Sequence, residues 1–291
     1  MENRPDIWMQ YFPAPDPHDH KYKRGQVAVL GGIHMTGAAC LSADASARIG
    51  AGLVTIICPC LTLYQRIKTV DPALIYRSFR PYIIARTNTA LDIFMTRQRD
   101  KGKVVGVIGP GLGNEEYETV RTIVSRAIYT DSPIVLDADG LNAFASDIDS
   151  LLETILFNNH VILTPHEGEF SALFPDLIPF LTTDRIHAAN EAANRSGATI
   201  VLKGAQTVIA QSNHDAVINQ TASPYLATAG SGDVLSGLIA GLIAQGMPVF
   251  EASCAAVWIH GKASLHIGAG LVASDIIEKI PSLLSEITKN I

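Results

Sequence analysis

The sequence predicts an α/β protein whose mostly parallel sheet is covered by helices on both faces. From residue 27 onward, short runs rich in β-branched residues alternate with longer segments of helical periodicity. Glycine, proline or aspartate stands at most of the junctions. Several of the short runs are apolar throughout, as strands buried between two helical layers require. Together these observations favour repeated strand–helix–strand units.

Seven apolar runs are expected to form the sheet, and they are VAVL (27–30), LVTII (53–57), VVGVI (104–108), PIVLD (133–137), HVILT (160–164), TIVLK (199–203) and TVIA (207–210). Helices are expected at 37–50, 115–129, 184–196, 231–245, 249–269 and 273–288. The last three helices follow one another without a strand between them, so we expect them to close the fold as a layer. Because no repeat or long linker interrupts the pattern, we expect one domain over residues 25–291 after an irregular arm at 1–24.

Composition excludes several classes of protein. The chain has 291 residues, of which 47% are hydrophobic and 17% charged, and these figures indicate a globular protein with a large core. A formal net charge of −6 argues against a nucleic-acid partner. The apolar run 234–244 is too short to span a bilayer of about 30 Å, and the first 20 residues lack the features of a signal peptide. The four cysteines have no zinc-ligand spacing, so we expect reduced thiols in a cytoplasmic protein. The short apolar run predicts no membrane partner.

Three glycine-bearing turns follow predicted strands: Gly31–Gly32, GPGLG (109–113) and TAGSGD (228–233). Ligands of open α/β sheets bind beyond the carboxyl ends of the strands. The turn TAGSGD precedes a long apolar helix, so its backbone amides are candidates for binding an anion such as phosphate. GPGLG lacks the spacing of a dinucleotide-binding fingerprint, and it is compatible with a structural turn or with a ligand contact.

Asp233 falls in the first turn of the helix that follows TAGSGD. One interpretation is a carboxylate that complements the helix dipole. The other is a general base that removes a proton from a hydroxyl group as its oxygen attacks phosphorus. Spacing alone leaves both open.

Polar residues follow three other predicted strands. Asp137 and Asp139 in LDADGLN either cap a helix or meet a cation. In TPHEGEF, His166, Glu167 and Glu169 either cap a helix, or the histidine contacts a substrate and the two carboxylates contact hydrated Mg²⁺. Lys203 is either a solvated strand end or a contact for nucleotide phosphate.

Eight segments carry a more specific signal in combination: HKYKRGQVAVLGG (20–32), MTGAACLSADASARIGAGLVT (35–55), GPGLG (109–113), VLDADGLN (135–142), ILTPHEGEF (162–170), VLKGAQTVI (201–209), ATAGSGDVLSGLIAGLIAQG (227–246) and AVWIHG (256–261). In this order, over about residues 20–265, the chain resembles the ADP-dependent (S)-NAD(P)H-hydrate dehydratases of the ribokinase-like superfamily. The motif GSGD alone would indicate only the superfamily. The resemblance implies a ribokinase-like three-layer fold.

The same resemblance implies an activity, a carbon–oxygen lyase reaction that removes water from the S form of hydrated NADH or NADPH. ADP would be the phosphoryl donor, Mg²⁺ the expected cofactor, and AMP and phosphate the other products. Asp233 would be the catalytic base, and the backbone of Gly230, Ser231 and Gly232 would stabilise the transferring phosphoryl group. Contacts to the hydrated dinucleotide would come from Ala38, Gly111, His166 and Asp233. The adenine nucleotide would contact Lys203, Gly204, Ala205, Gln206, Thr207 and Gly232. No metal ligands are assigned.

The chain departs from the family pattern at two loops. GGIHMTGAA is one residue shorter than the GGSxGMTGAA typical of the family, and NQTASPYLATAGSGD replaces NPTGNPGLATAGSGD. The second change introduces Ala222, Ser223 and Tyr225, which leaves the fit of the loop and the nucleotide preference open. The family also implies a homotetramer. Because only about 20 residues precede the first motif, no epimerase domain is expected, and a separate epimerase would have to convert the R form.

Two other functions remain alternatives. A kinase of the same superfamily, acting on a vitamin-precursor alcohol or a sugar, would share GSGD and the covered parallel sheet. A nucleotide-sensing module without turnover would bind AMP or ADP and release no product. GPGLG and TPHEGE favour the dehydratase over the kinase, and Asp233 after GSG argues against the module.

Overall fold

The computed structural model describes residues 1–32, 34–58, 83–87, 104–113 and 117–289. Within these ranges, nine strands form one sheet in the order β3-β2-β1-β4-β5-β6-β7-β8-β9. The strands are β1 (Gln26–Leu30), β2 (Leu53–Cys58), β3 (Ile84–Thr87), β4 (Val104–Ile108), β5 (Ile134–Leu136), β6 (Val161–Leu163), β7 (Thr199–Leu202), β8 (Thr207–Ala210) and β9 (Val217–Asn219). Strands β1 to β7 pair in parallel, and β8 and β9 add an antiparallel extension.

The helices are α1 (Pro5–Trp8), α2 (Thr36–Arg48), α3 (Tyr117–Ile128), α4 (Asp139–Asn142), α5 (Ile148–Ile155), α6 (Glu167–Leu173), α7 (Phe180–Thr183), α8 (Arg185–Ser196), α9 (Ser231–Ala244), α10 (Val249–Ile267) and α11 (Ala273–Thr288). Short 3₁₀ turns occur at Met9–Tyr11, Pro175–Leu177 and Pro224–Leu226. None of the helices in the described part of the chain is both long and apolar enough to cross a membrane.

Both faces of the sheet are covered, as the sequence predicts. On β1, Val27 and Val29 belong to a core shared with α2, α9, α10 and α11. Ala28 and Leu30 of the same strand point into a second core shared with α3, α5, α6 and α8. Alternate residues of one strand therefore serve two hydrophobic cores, which explains why the strand is apolar throughout.

Each predicted strand and helix is present, and the ends predicted within the described residues differ by at most two residues. Strands β3 and β9 and the short helices α1, α4, α5, α6 and α7 are not predicted, because each is short or interrupted by polar residues. The start of the helix predicted at 115–129, and Cys60, lie outside the described residues.

The expectation that residues 1–24 form an irregular arm is partly wrong. The amide of Asn3 donates to the carbonyl of Ile218 (2.8 Å), and the amide of Ile218 donates to the carbonyl of Met1 (2.9 Å), so residues 1–3 extend the sheet beyond β9. Helix α1 then buries Trp8 completely, with its ring centroid 5.7 Å from that of Trp258 on α10. Edge pairing and burial of this indole order the start of the chain, whereas residues 13–24 contain only turns and irregular structure.

Helices α2 and α9 approach each other closely because glycines and serines line their contact. A Cβ atom on Gly237 would lie 2.1 Å from the carbonyl oxygen of Ser42, and one on Gly241 would lie 2.2 Å from Cγ2 of Ile49. The hydroxyl of Ser46 donates to the carbonyls of Ser42 (2.8 Å) and Gly237 (2.9 Å). This contact fixes the start of α9 relative to the loop that follows β1.

We therefore expect Gly237→Ala to lower the free energy of unfolding by about 1–3 kcal/mol, since the added methyl group overpacks the α2–α9 contact. Urea denaturation followed by circular dichroism measures this change. Gly37→Ala is the matched control, because no heavy atom lies within 4 Å of the added Cβ, and it should leave the midpoint unchanged or raise it slightly. Equal midpoints for the two variants would contradict the close packing.

Candidate active site

The loops that follow β1 and β4 are joined backbone to backbone. Gly32 donates its amide to the carbonyl of Pro110 (2.9 Å), and Met35 donates to the carbonyl of Gly111 (3.2 Å). Gly111 has a φ of 66°, and a Cβ atom there would lie 2.2 Å from the carbonyl oxygen of Met35. The amide of Ala38 also donates to Met35 (3.1 Å). Ala38 and Gly111, both predicted to contact the dinucleotide, therefore both contact the backbone of Met35.

The loop after β5 directs two carboxylates to different partners. Ala138, between them, has a φ of 48°, a conformation that is strained for a residue with a side chain. Oδ1 of Asp137 lies 2.7 Å from Nζ of Lys203, whereas Oδ2 of Asp139 accepts the amide of Gly113 (2.7 Å). Neither side chain caps helix α4, so the capping interpretation of these residues is wrong.

The loop after β6 ends in a capping box. Nδ1 of His166 accepts the amides of Gly168 (3.0 Å) and Glu169 (3.2 Å), and the Glu169 carboxylate accepts the amide of His166 (2.8 Å). Because Nδ1 accepts, a neutral His166 carries its proton on Nε2. The His166 side chain is 59% exposed, so capping of α6 leaves its outer face available to a ligand.

Lys203 follows β7 and brings a positive charge among buried carboxylates. Its Nζ lies 2.7 Å from Asp137 and 3.8 Å from Glu169. Burial alone would lower the pKa of the Lys203 ammonium, but Asp137 and Glu169 outweigh it and the pKa is raised. Burial, with a contribution from Asp137, raises the pKa of the Glu169 carboxyl, although Lys203 opposes this. The lysine therefore stays charged.

Asp233 lies in the first turn of α9, after Gly230 with a φ of 88°. Burial raises the pKa of Asp233 to about 7, and repulsion from Asp137 adds to this, while Lys203 opposes it. The backbone before Asp233 is also close to the lysine, since a Cβ atom on Gly232 would lie 3.3 Å from Nζ of Lys203. A carboxylate with a pKa near 7 can accept and release a proton at neutral pH.

A cavity of about 820 Å³ opens beside this cluster. It is lined by His166, Lys203, Gly204, Ala205, Thr207, Asn219, Ala222, Ser223, Pro224, Leu226, Ala227, Thr228, Ser231, Gly232, Leu235, Val257, His260 and Gly261. All predicted nucleotide contacts except Gln206 are in this set, and so is Ser231. Ala38, Gly111, Gly230 and Asp233 are outside it. The cavity thus lies on the Gly232 side of the cluster, and two residues of the altered loop, Ala222 and Ser223, form part of its wall.

Comparison with known proteins adds the family. A family model described as NAD(P)H-hydrate dehydratase matches residues 27–282. The chain belongs to this family. Among its relatives, the ADP-dependent (S)-NAD(P)H-hydrate dehydratase of Neisseria meningitidis serogroup B is 37% identical over 286 residues, which span 96% of this chain and 91% of that protein.

Two further similar proteins allow the length and the fold of the chain to be compared. The bifunctional NAD(P)H-hydrate repair enzyme of Salinibacter ruber is 37% identical over 287 residues, and this chain spans 51% of its length. The crystal structure of the ADP/ATP-dependent NAD(P)H-hydrate dehydratase of Bacillus subtilis, co-crystallised with ATP and Mg²⁺, is 25% identical with a TM-score of 0.80 over 98% of each chain. Together with the covered parallel sheet, this likeness confirms the predicted ribokinase-like fold.

Two residues that form hydrogen bonds to the backbone around the cavity, His260 and Arg185, are not predicted from the sequence. Nε2 of His260, on α10, lies 3.0 Å from the carbonyl oxygen of Ser231, and burial lowers the pKa of His260 to about 4. The neutral imidazole therefore donates to this carbonyl, while the Ser231 hydroxyl donates to Leu226 (2.8 Å). Arg185, on α8, contacts the turn between β7 and β8. AVWIHG contains His260, but the motif does not reveal its partner.

The raised pKa of Asp233 predicts a gain in stability for Asp233→Asn above neutral pH. Because the folded-state pKa of about 7 exceeds the unfolded value of 3.8, the ionised carboxylate destabilises the fold increasingly as pH rises between these values. At pH 8 the variant should melt a few degrees above the wild type, and near pH 4 the two should coincide. Thermal melting at both pH values measures this, and a variant that is less stable at pH 8 would contradict it.

Proposed function

We propose that the protein uses ADP to dehydrate the S form of hydrated NADH or NADPH, returning NAD(P)H with AMP and phosphate. Membership of the NAD(P)H-hydrate dehydratase family supports this proposal, as does the name of the Neisseria relative, which spans nearly the same length. The observation that carries the chemistry is Asp233, a half-buried carboxyl at the start of α9 whose pKa burial raises to about 7.

Asp233 is the general base in this proposal. The hydroxyl of the hydrate is a weak acid, and its oxygen attacks phosphorus well only as its proton leaves. A free carboxyl group with a pKa near 3.8 would be a weak base, whereas burial and the neighbouring Asp137 make Asp233 more basic. Lys203 limits the effect, so that Asp233 is still largely ionised just above neutral pH.

The start of α9 binds the phosphoryl group while it passes from ADP to the hydrate oxygen. The amides of the first helical turn have no acceptor within the helix, and the helix dipole favours an anion there. The amide of Ser231 is only weakly engaged, 3.4 Å from the carbonyl of Thr228. Gly232 has no side chain to obstruct an approaching phosphate, and the Lys203 ammonium adds positive charge. The neutral donor His260 holds the Ser231 carbonyl and with it the shape of the turn.

Mg²⁺ fits this site as an ion carried by the nucleotide. Among the described residues, no group of three or more His, Cys, Asp or Glu is arranged to hold a metal ion. The nearby carboxylates of Asp137 and Glu169 already face Lys203. Mg²⁺ commonly keeps several waters and binds through phosphates and one or two carboxylates. When bound, it offsets the charge of the phosphoryl group.

The second half of the reaction is an elimination. Once Asp233 has taken the proton and AMP has left, the hydrate oxygen carries a phosphoryl group. Phosphate is a much better leaving group than hydroxide, so the carbon–oxygen bond breaks with loss of phosphate, and loss of a proton from the adjacent ring carbon restores the ring double bond of NAD(P)H. We propose that Ala38, Gly111 and His166 hold the dinucleotide during this step. Ala38 lies in the first turn of α2, after β1, and Gly111 and His166 lie in the segments that follow β4 and β6, which supports this.

The activity test is recovery of absorbance near 340 nm from chemically hydrated NADH in the presence of ADP and Mg²⁺. Asp233→Asn should reduce the rate at least about 100-fold, as expected for loss of a general base. Asp275→Asn is the matched control, since Asp275 also lies in a first helical turn, that of α11, and caps it through the amide of Val272 (2.9 Å). The proposal would be refuted if the absorbance recovered neither in the presence of ADP nor in the presence of ATP. A phosphorylated product that persists would favour the kinase.

The pH dependence of kcat/KM should report the ionisation of Asp233. Because the base acts in its ionised form, kcat/KM should rise with pH and level off, with a midpoint near 7. Lys203→Met removes the charge that lowers the pKa of Asp233, so the midpoint of the remaining activity should move to higher pH. Rate measurements from pH 5.5 to 9 test both expectations, and an unchanged midpoint in the lysine variant would contradict the assigned coupling.

Three further predictions depend on the family resemblance alone. We propose a homotetramer, a cytoplasmic location, and a separate epimerase that supplies the S form from the R form. Light scattering of the purified protein measures the first. Incubation with the pure R form, with and without an added epimerase, measures the last.

A further inference from the structure

Arg185 makes four polar contacts with chain segments on one side of the cavity. Its Nη2 donates to the carbonyl of Lys203 (2.7 Å), its Nε donates to the carbonyl of Gln206 (3.0 Å), and its Nη1 lies 2.6 Å from Oε1 of Glu167. A longer contact joins Nη2 to the carbonyl of Leu202 (3.5 Å). The side chain is 13% exposed, which is low for arginine.

Two of these contacts, to the carbonyls of Lys203 and Gln206, hold the ends of the turn 203–206, which joins β7 to β8. Gly204 and Ala205 of this turn line the cavity, whereas Arg185 is not among the lining residues. A Cβ atom on Gly204 would lie 2.4 Å from Nη2 of Arg185. The guanidinium therefore fills the space beside Gly204 on the side away from the cavity wall, and it contacts the turn through backbone atoms.

The amide of Lys203 at the start of the turn donates to the carbonyl of Pro165 (2.8 Å), but the residues after it have weaker support. The amide of Gly204 lies 3.4 Å from Oγ1 of Thr207, and this hydroxyl donates back to the carbonyl of Gly204 at 3.2 Å, both long for hydrogen bonds to a hydroxyl group. The turn residues Gly204, Ala205 and Gln206 are all exposed. The charge-assisted bonds from Arg185 are shorter, so they are the stronger constraint on the shape of the turn.

We propose that Arg185 is a positioning residue for the adenine nucleotide. It fixes the carbonyls at both ends of the turn, and because each peptide is planar, it thereby fixes the directions of the adjoining amides. Arg185 holds the carbonyl of Lys203 while Pro165 accepts the amide of the same residue, so the two together fix the main chain from which the ammonium reaches Asp137. The proposal rests on the proposed function, since it concerns the same nucleotide cavity.

Arginine suits this role better than lysine. Its planar fork presents several N–H donors in fixed directions, so one side chain can hold two carbonyls and a carboxylate together. The ammonium of a lysine is a single point, and it cannot reach the carbonyls of Lys203 and Gln206 and the carboxylate of Glu167 with the same geometry.

The experiment compares Arg185→Gln and Arg185→Lys with a control on the same helix, Arg195→Gln. Arg195 also pairs with two carboxylates, those of Glu191 (2.8 Å) and Asp176 (2.6 Å), but it contacts no part of the turn. For each protein, calorimetry measures the Kd of ADP, steady-state rates give KM for ADP and for the hydrate, and thermal melting records stability.

For Arg185→Gln we expect the Kd and KM of ADP to rise about 10- to 100-fold, as when a binding group is misplaced by a fraction of an ångström. The KM of the hydrate should stay within about 2-fold, Arg185→Lys should recover part of the loss, and Arg195→Gln should match the wild type. An unchanged Kd for ADP in Arg185→Gln would overturn the inference. So would a loss that affects both substrates equally and follows the melting temperature.

The calorimetric readout separates the two proposals. If the wild type binds ADP and Arg185→Gln does not, the inference holds even where no hydrate is converted. If the wild type converts the hydrate and both bind ADP alike, the inference fails and the proposed function stands. A wild type that binds no adenine nucleotide would refute both.

Discussion

The positive charge of Lys203 balances the carboxylates of the candidate active site. Its ammonium lies against the carboxylates of Asp137 and Glu169 and lowers the pKa of Asp233. Without it, the buried carboxyls of Asp137 and Glu169 and the half-buried carboxyl of Asp233 would lie together without a compensating charge, which is costly unless they take up protons. Buried ion pairs contribute little net stability. We infer that this one exists because it keeps Asp233 in the range where it can exchange protons near neutral pH.

The same site depends on close approaches between segments that are far apart in the chain. Glycines at the ends of β1 and β4 let two loops bond to each other through their backbones, and small residues let α2 and α9 pack tightly. The charged side chains then come from the loops after β5, β6 and β7. The parallel strand order brings these loops to one edge of the sheet, so the fold supplies the scaffold and the loops supply the chemistry.

Much of this arrangement can be predicted from sequence where a signal is local. Asp233 and Lys203 stand at the junction of an apolar segment with a glycine turn, and the pattern points to both. Arg185 and His260 have no such signal, because their partners lie 18 and 29 residues away in the chain. The divergence of Asp137 and Asp139 depends on the positive φ of Ala138, which residue preference does not favour. Strand β9 has only three residues and polar neighbours, so its pattern is too brief to detect.

The pairing of residues 1–3 with β9 bears on how the molecule behaves in concentrated solution. A free sheet edge offers unpaired amides and carbonyls to any neighbouring chain, and proteins usually protect such edges. Here the protection comes from a few residues at the start of the chain, followed by the buried indole of Trp8. Proteolytic loss of that segment would uncover both the edge of β9 and apolar surface of α10, and self-association would follow while the distant candidate site remained intact.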